Sequence, residues 1–308
     1  MLKLLLTLSL LIADIDTSAQ FVAENESAPS DNTPYVLPFD FKAPDAIFEM
    51  PTELVEISGL SISSDNQYLI AVQDEDGIIF KINMHNGAVE HQFNFWKEGD
   101  YEGLEAVEDN IFVVKSTGTI YKIKKPDQNG QEVVKYKFFL NKDNDVEGLG
   151  LDARGKRLLL ACKAKSGTGE HMKLKKSIYA FDLTTEQMDS IPAFTVSLES
   201  ILTYLELHPE LASYEKLTKF FIREDGKFKF SPSAIAIHPK TSDIYITSAV
   251  GKLMVILNAQ GELIHIEKLK KSIHAQPEGL CFDKEGNMYI ANEGKDESAY
   301  VYKFMYRP

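Results

Sequence analysis

One short phrase returns along this chain at nearly fixed intervals, and it limits the available folds more than any bulk property does. Glu-Ile-Ser-Gly-Leu occupies 56–60, Tyr-Glu-Gly-Leu 101–104, Val-Glu-Gly-Leu 146–149 and Pro-Glu-Gly-Leu 277–280, while Ser-Pro-Ser-Ala-Ile at 231–235 fills the same slot. The aligned positions Gly59, Gly103, Gly148, Ala234 and Gly279 are 44, 45, 86 and 45 residues apart. Each opens the same succession: a short strand, a turn rich in Asp, Asn or Gly, a second apolar run, and a third strand with aromatic or branched residues. Four of the five add a fourth strand. Four short antiparallel strands at a period of about 45 residues are the pattern of a β-propeller blade. A parallel α/β fold needs a helix between strands, and these connections are too short to hold one. A sandwich has no reason to repeat a motif at a fixed period.

The last repeat supplies only three strands, and an unattached strand, Asp-Ala-Ile-Phe-Glu-Met-Pro at 45–51, precedes the first anchor. The two explain each other if the N-terminal strand completes the last blade and closes the ring, leaving no open edge. The long interval between Gly148 and Ala234 contains 198–222, whose apolar residues are helically spaced and interrupted by Pro209. It is expected to form two short helices inserted between blades and capping one face. The fold expected is all-β: a five-bladed propeller with a helical insertion, a single domain over 41–308. The alternative is six blades with one degenerate.

Ahead of the repeats, Lys3, the apolar run Leu4–Ala13 and the small residues Thr17, Ser18 and Ala19 form a secretory signal over 1–19. Residues 20–40 are polar and proline-containing, a linker or arm. Apolar runs elsewhere are too short to cross a bilayer, which takes about 20 residues. An exported, periplasmic or extracellular monomer follows as the expectation. The formal net charge of −13 argues against a nucleic-acid partner and is compatible with cation binding. Cys162 and Cys281 lie inside apolar runs and are expected as two buried thiols. The seven histidines are scattered without metal-ligand spacing.

In a propeller the innermost strand of every blade lines a central channel, so equivalent positions form a ring. Glu102, Glu147 and Glu278, each just before the aligned glycine, should meet at one channel mouth. Glu56, Asp74 and Asn292 are further members, and Lys115 and Lys163, ending second strands, are basic groups at the same mouth. Crowded carboxylates either bind protons more tightly or gather a cation. An all-oxygen set suits Ca2+, with six to eight ligands, though the two lysines would neutralise the acids without a metal. Three readings of the glutamates stay open: blade-to-blade glue, a cation site, or a catalytic role.

The segments 53–82, 100–123, 145–152 and 276–293 make the chain similar to the SdiA-regulated family of exported bacterial propellers. Its D-x-E-G and P-E-G-L-x-F-D-x-x-G-N-x-Y-I patterns also resemble NHL repeats and phytase-like and lactonase-like propellers. The resemblance implies an envelope propeller with calcium in its channel and transfers no assigned activity. Two functions follow as expectations. One is a binding or scaffold protein for a small ligand, glycan or protein. The other is a calcium-dependent hydrolase of phosphate esters or lactones, with Lys115 or Lys163 steadying a phosphate.

Overall fold

The computed structural model describes residues 35–167, 169–222, 228–294 and 298–308. The secretory signal and most of the expected arm lie outside the described residues. Within them the chain forms five antiparallel sheets of four to five strands. Blade 1 contains β2 (Ile57–Ile62), β3 (Tyr68–Gln73), β4 (Ile78–Asn83) and β5 (Val89–Asn94). Blade 2 contains β6 (Tyr101–Val107), β7 (Asn110–Lys115), β8 (Ile120–Lys124) and β9 (Glu132–Tyr136). Blade 3 contains β10 (Val146–Asp152), β11 (Arg157–Cys162) and β12 (Lys175–Asp182). Its fourth strand is split: both β13 (Gln187–Met188) and β14 (Phe194–Ser197) pair with β12. Blade 4 contains β15 (Ala234–Ile237), β16 (Ile244–Ser248), β17 (Leu253–Leu257) and β18 (Leu263–Lys268).

Blade 5 contains β19 (Pro277–Phe282), β20 (Met288–Asn292) and β21 (Tyr300–Phe304), and its outer strand is β1 (Ala46–Glu49), running antiparallel to β21. The unattached N-terminal strand does close the ring. The first strands touch in cyclic order, β2 with β6, β6 with β10, β10 with β15, β15 with β19 and β19 with β2. The blade starts therefore surround one axis.

The hydrophobic pattern explains why the strands stand this way. The second and third strands are sandwiched between neighbouring blades and are apolar on both faces, as in Leu158–Cys162 and the wholly buried β17. Outer strands meet water and turn polar, as in β5, where only Phe93 is buried. The core is accordingly five clusters, one at each junction between blades. Burial of apolar surface at about 25 cal/mol per Å2 is what drives the blades together.

No sixth blade exists among the described residues. Much of the long interval is occupied by α1 (Leu198–Leu207) and α2 (Tyr214–Phe221), separated at Pro209. Ser197 starts α1 with a capping box, its hydroxyl accepting from the Ser200 amide at 2.9 Å. Ile201, Leu205, Leu217 and Phe221 are buried in the junction of blades 3 and 4. The helices differ from the expected cap over a face: α1 packs on β14 and β18, at the outer edges of those blades. The packed body also begins earlier than residue 41, because Phe39 is 5% exposed and joins the cluster between blades 4 and 5. Cys162 and Cys281 are both free and buried. No helix among the described residues is long and apolar enough to cross a membrane.

Candidate functional site at the acidic channel mouth

The recurring Glu-Gly-Leu has a backbone cause. Where each first strand of blades 2, 3 and 5 pairs with its second strand, the register slips by one residue, and the residue left over is Glu102, Glu147 or Glu278. In blade 1 the same slip leaves Ser58 unpaired. A β-bulge of this kind bends the strand and re-aims a side chain. The glycine that follows lets neighbouring blades approach. A Cβ on Gly59 would lie 2.8 Å from Gly103 Cα, and one on Gly279 would lie 2.8 Å from Leu60 Cβ. The leucine then enters the core, with Leu60, Leu104, Leu149 and Leu280 all buried.

Bulge and ring together bring the three glutamates into electrostatic contact. Burial, then the Glu147 and Asp100 charges, push the Glu102 carboxyl up to about 10, with the Lys163 ammonium opposing. Burial, then Glu147, push Glu278 up to about 8, again against Lys163. Glu147, 8% exposed, is raised by burial but held back by Lys163, whose Nζ donates to Glu147 Oε1 at 2.9 Å. Burial would lower Lys163, yet the Glu147 carboxylate outweighs it and the ammonium is held above its ordinary value. Three acids thus share the Lys163 ammonium, with Lys252 adding a weaker opposing charge at Glu278.

The other sequence candidates divide. Asp74 belongs to the mouth: burial and then the Glu56 charge raise it to about 6, and its Oδ1 is buried without a hydrogen-bond partner. Glu56 itself is exposed. Asn292 is 3% exposed, accepts from the Gln276 amide through Oδ1 at 3.3 Å, and leaves Nδ2 unpartnered. Lys115 does not join the carboxylates. Its Nζ sits 5.4 Å from the Tyr101 ring centroid and makes no ion pair among the described residues.

Glu293 and Asp100 matter more than their places in the sequence suggested. Glu293 raises both Asp74 and Glu278 and accepts from Gln276 Nε2 at 2.7 Å. Asp100 acts on both Glu102 and Glu147. The signal for both was adjacency to a bulge or a second-strand end.

The donor set does not fit calcium as it stands. Among the described residues no group of three or more His, Cys, Asp or Glu is arranged to hold a metal ion, whereas Ca2+ needs six to eight converging oxygens. Lys163 takes a cation's place beside Glu147. Lys163 makes its ion pair with Glu147, so Glu102 and Glu278 are where a positive group from outside would add a direct partner.

Comparison with known proteins adds family and no activity. No curated protein matches the chain. Among solved structures, a luciferin-regenerating enzyme is 12% identical at a TM-score of 0.48, covering 85% of this chain and 95% of that one. Virginiamycin B lyase from Staphylococcus aureus is 13% identical at a TM-score of 0.43, covering 84% of this chain and 69% of that one. At these scores the likenesses carry no argument about function. The SdiA-regulated family profile matches residues 47–168 and 221–302, which include all five blade starts with a bulge or serine at the hub and leave out α1 and most of α2. All five inner strands therefore lie within the matched part. By this match over well more than half its length, the chain belongs to the SdiA-regulated family.

Proposed function

We propose that the protein is an exported binding propeller whose acidic mouth holds a cationic group of a ligand or partner. One observation carries the reading. Glu102, Glu147 and Glu278 arrive from three blades at one mouth; Lys163 donates to Glu147 and acts on the other two only through its field, as Lys252 does on Glu278. Burial without a direct counter-charge keeps Glu102 and Glu278 protonated near pH 7, and an ammonium or guanidinium group takes the place of those protons through charge-assisted hydrogen bonds. Such a group needs one or two carboxylate oxygens, so the arrangement favours an organic cation over calcium. Export rests on the signal-like residues 1–19.

The test is a thermal-shift series on the mature protein with putrescine, with CaCl2, and with a chelator. Putrescine is expected to raise the Tm, and Glu278→Gln to abolish the rise. A calcium-dependent rise reversed by chelator, with no putrescine effect, establishes the calcium reading instead and reopens the metal-dependent hydrolase. No response to either leaves the mouth a structural feature and overturns the proposal.

A further inference from the structure

A second binding position lies at the opposite end of the channel. Two residues past the aligned glycine, four blades carry a small residue: Ser61, Gly150, Ala236 and Cys281. Blade 2 alone places a long acid there, Glu105. Small side chains on four sides leave room, and the structure has a cavity of about 220 Å3 at this end. All five first strands contribute to its wall with their last residues, including Ile62, Ala106, Leu151, Ile237 and Phe282. About half of the lining is apolar, and the rest is serines together with Glu105, Asp152, Arg154 and His238, so an apolar surface and polar groups meet in one cavity, as small-molecule sites require.

Glu105 lies in that wall at 8% exposure. Its Oε2 accepts from Ser61 Oγ at 2.6 Å and its Oε1 from the Leu151 amide at 3.0 Å. These partners come from blades 1 and 3 and fix the carboxylate in place. Both are neutral, and Glu105 makes no ion pair among the described residues. A carboxylate accepts about four hydrogen bonds, so two positions stay open.

The charged neighbours do not close the gap. Asp152 is occupied by Arg157 Nε at 2.8 Å, and Arg154 donates to the Lys240 carbonyl at 3.2 Å. Burial pulls His238 down to about 4, so it is neutral near pH 7. The Cys281 thiol is pushed well above its ordinary range by burial and by Glu105, and stays protonated. Asp283, which also acts on Cys281, is engaged by Asn287.

We infer that this cavity binds a small amine with an apolar body, its ammonium on Glu105 and its body against Ile62, Leu151, Ile237 and Phe282. The site is separate from the acidic mouth and stands whether or not that mouth binds a cation. The probe is benzylammonium, with benzyl alcohol as its uncharged counterpart, titrated into the full mature chain by calorimetry.

The amine is expected to bind at least about tenfold more tightly than the alcohol, and Glu105→Gln to erase that difference. Burial pushes the Glu105 carboxyl up to about 7. Amine affinity should therefore rise from about pH 6 to about pH 8 as the carboxylate forms. Should Glu105→Gln fail to fold, Ala153→Phe keeps the acid and plugs the rim from an exposed position; it too should abolish binding. Equal affinity for amine and alcohol, or amine binding that survives either folded variant, overturns the inference.

Discussion

Blades 1 and 4 place serine where blades 2, 3 and 5 place glutamate, and the contrast separates scaffold from chemistry. Ser58 Oγ donates to the Tyr101 carbonyl at 2.6 Å, and Ser233 Oγ to the Pro277 carbonyl at 2.5 Å. Tyr101 and Pro277 immediately precede Glu102 and Glu278. Each serine thus stitches its blade to the backbone that carries the next blade's glutamate. The glutamates make no comparable backbone stitch: Glu147 reaches Lys163, while Glu102 shares a hydrogen bond with Asp100. One slot serves as glue when the side chain is short and as a charged mouth when it is long.

The largest effect should come from the spacing both kinds of blade depend on. Gly279→Val would drive a side chain into Leu60 and Ala291, whose Cβ atoms lie 2.8 and 2.9 Å from the added Cβ. It is expected to cost about 3 kcal/mol or more in urea unfolding. In blade 4 the slot already holds a methyl group, and Ala234→Gly should cost only about 1 kcal/mol. Equal costs would show that blade crowding is not what selects glycine.

The stitches come next. Ser58→Ala and Ser233→Ala each leave a buried carbonyl short of a donor and should destabilise by about 2 kcal/mol. Neither should alter the charge state of the glutamates. If Glu278→Gln, measured at pH about 6, destabilises as much as Ser233→Ala, the division between glue and charge fails.

A smaller effect distinguishes the glutamate blades by pH. Glu278 has a folded value of about 8 against an ordinary 4.5, so the folded chain keeps a proton the unfolded chain releases. That contribution to stability is full below about pH 4.5 and is lost as pH rises through about 8. The wild type should lose stability between about pH 5 and about pH 9. Glu278→Gln, which cannot ionise, should recover about 1 to 2 kcal/mol of that loss at the alkaline end. A pH profile unchanged by the substitution would mean Glu278 is not held protonated by its surroundings.

These blade differences also show which parts of the molecule were legible in sequence. The propeller was, because the period, the aligned glycines and the spare strand at 45–51 each carry a geometric consequence. That the glutamates share one mouth followed from the ring alone. The bulge was not legible, since Tyr101-Glu102-Gly103 looks like continuous strand until its partner Lys115–Val114 is seen to slip. Nor was the fate of the two lysines. Lys115 ends its second strand and Lys163 directly follows one, but the Tyr101 ring draws the first and the buried Glu147 carboxylate holds the second. Glu105 is not singled out by the repeated motif: its being the one long acid among small residues shows only when the blades are aligned past the glycine, and its partners Ser61 and Leu151 only in the fold.

The smallest effect is the one that tests how the mouth is balanced. Lys163 lowers the proton affinity of Glu102, Glu147 and Glu278 alike. Its side chain is 39% exposed, so water screens it, and Lys163→Met should change stability by less than about 1 kcal/mol at pH near 7. The informative readout is the titration of the glutamate carboxyls by carbon NMR. All three should move upward in the variant, because the folded chain loses the charge that favours their ionised forms. The stability difference from wild type should vanish in acid, where the carboxyls are protonated and the ammonium has no charged partner, and should grow as pH rises. Lys115→Met, by contrast, should leave the three titrations in place, since Lys115 acts on none of them. If the two lysine variants shift the glutamates equally, Lys163 is not the mouth's counter-charge, and no reason remains for an outside cation to prefer Glu102 and Glu278.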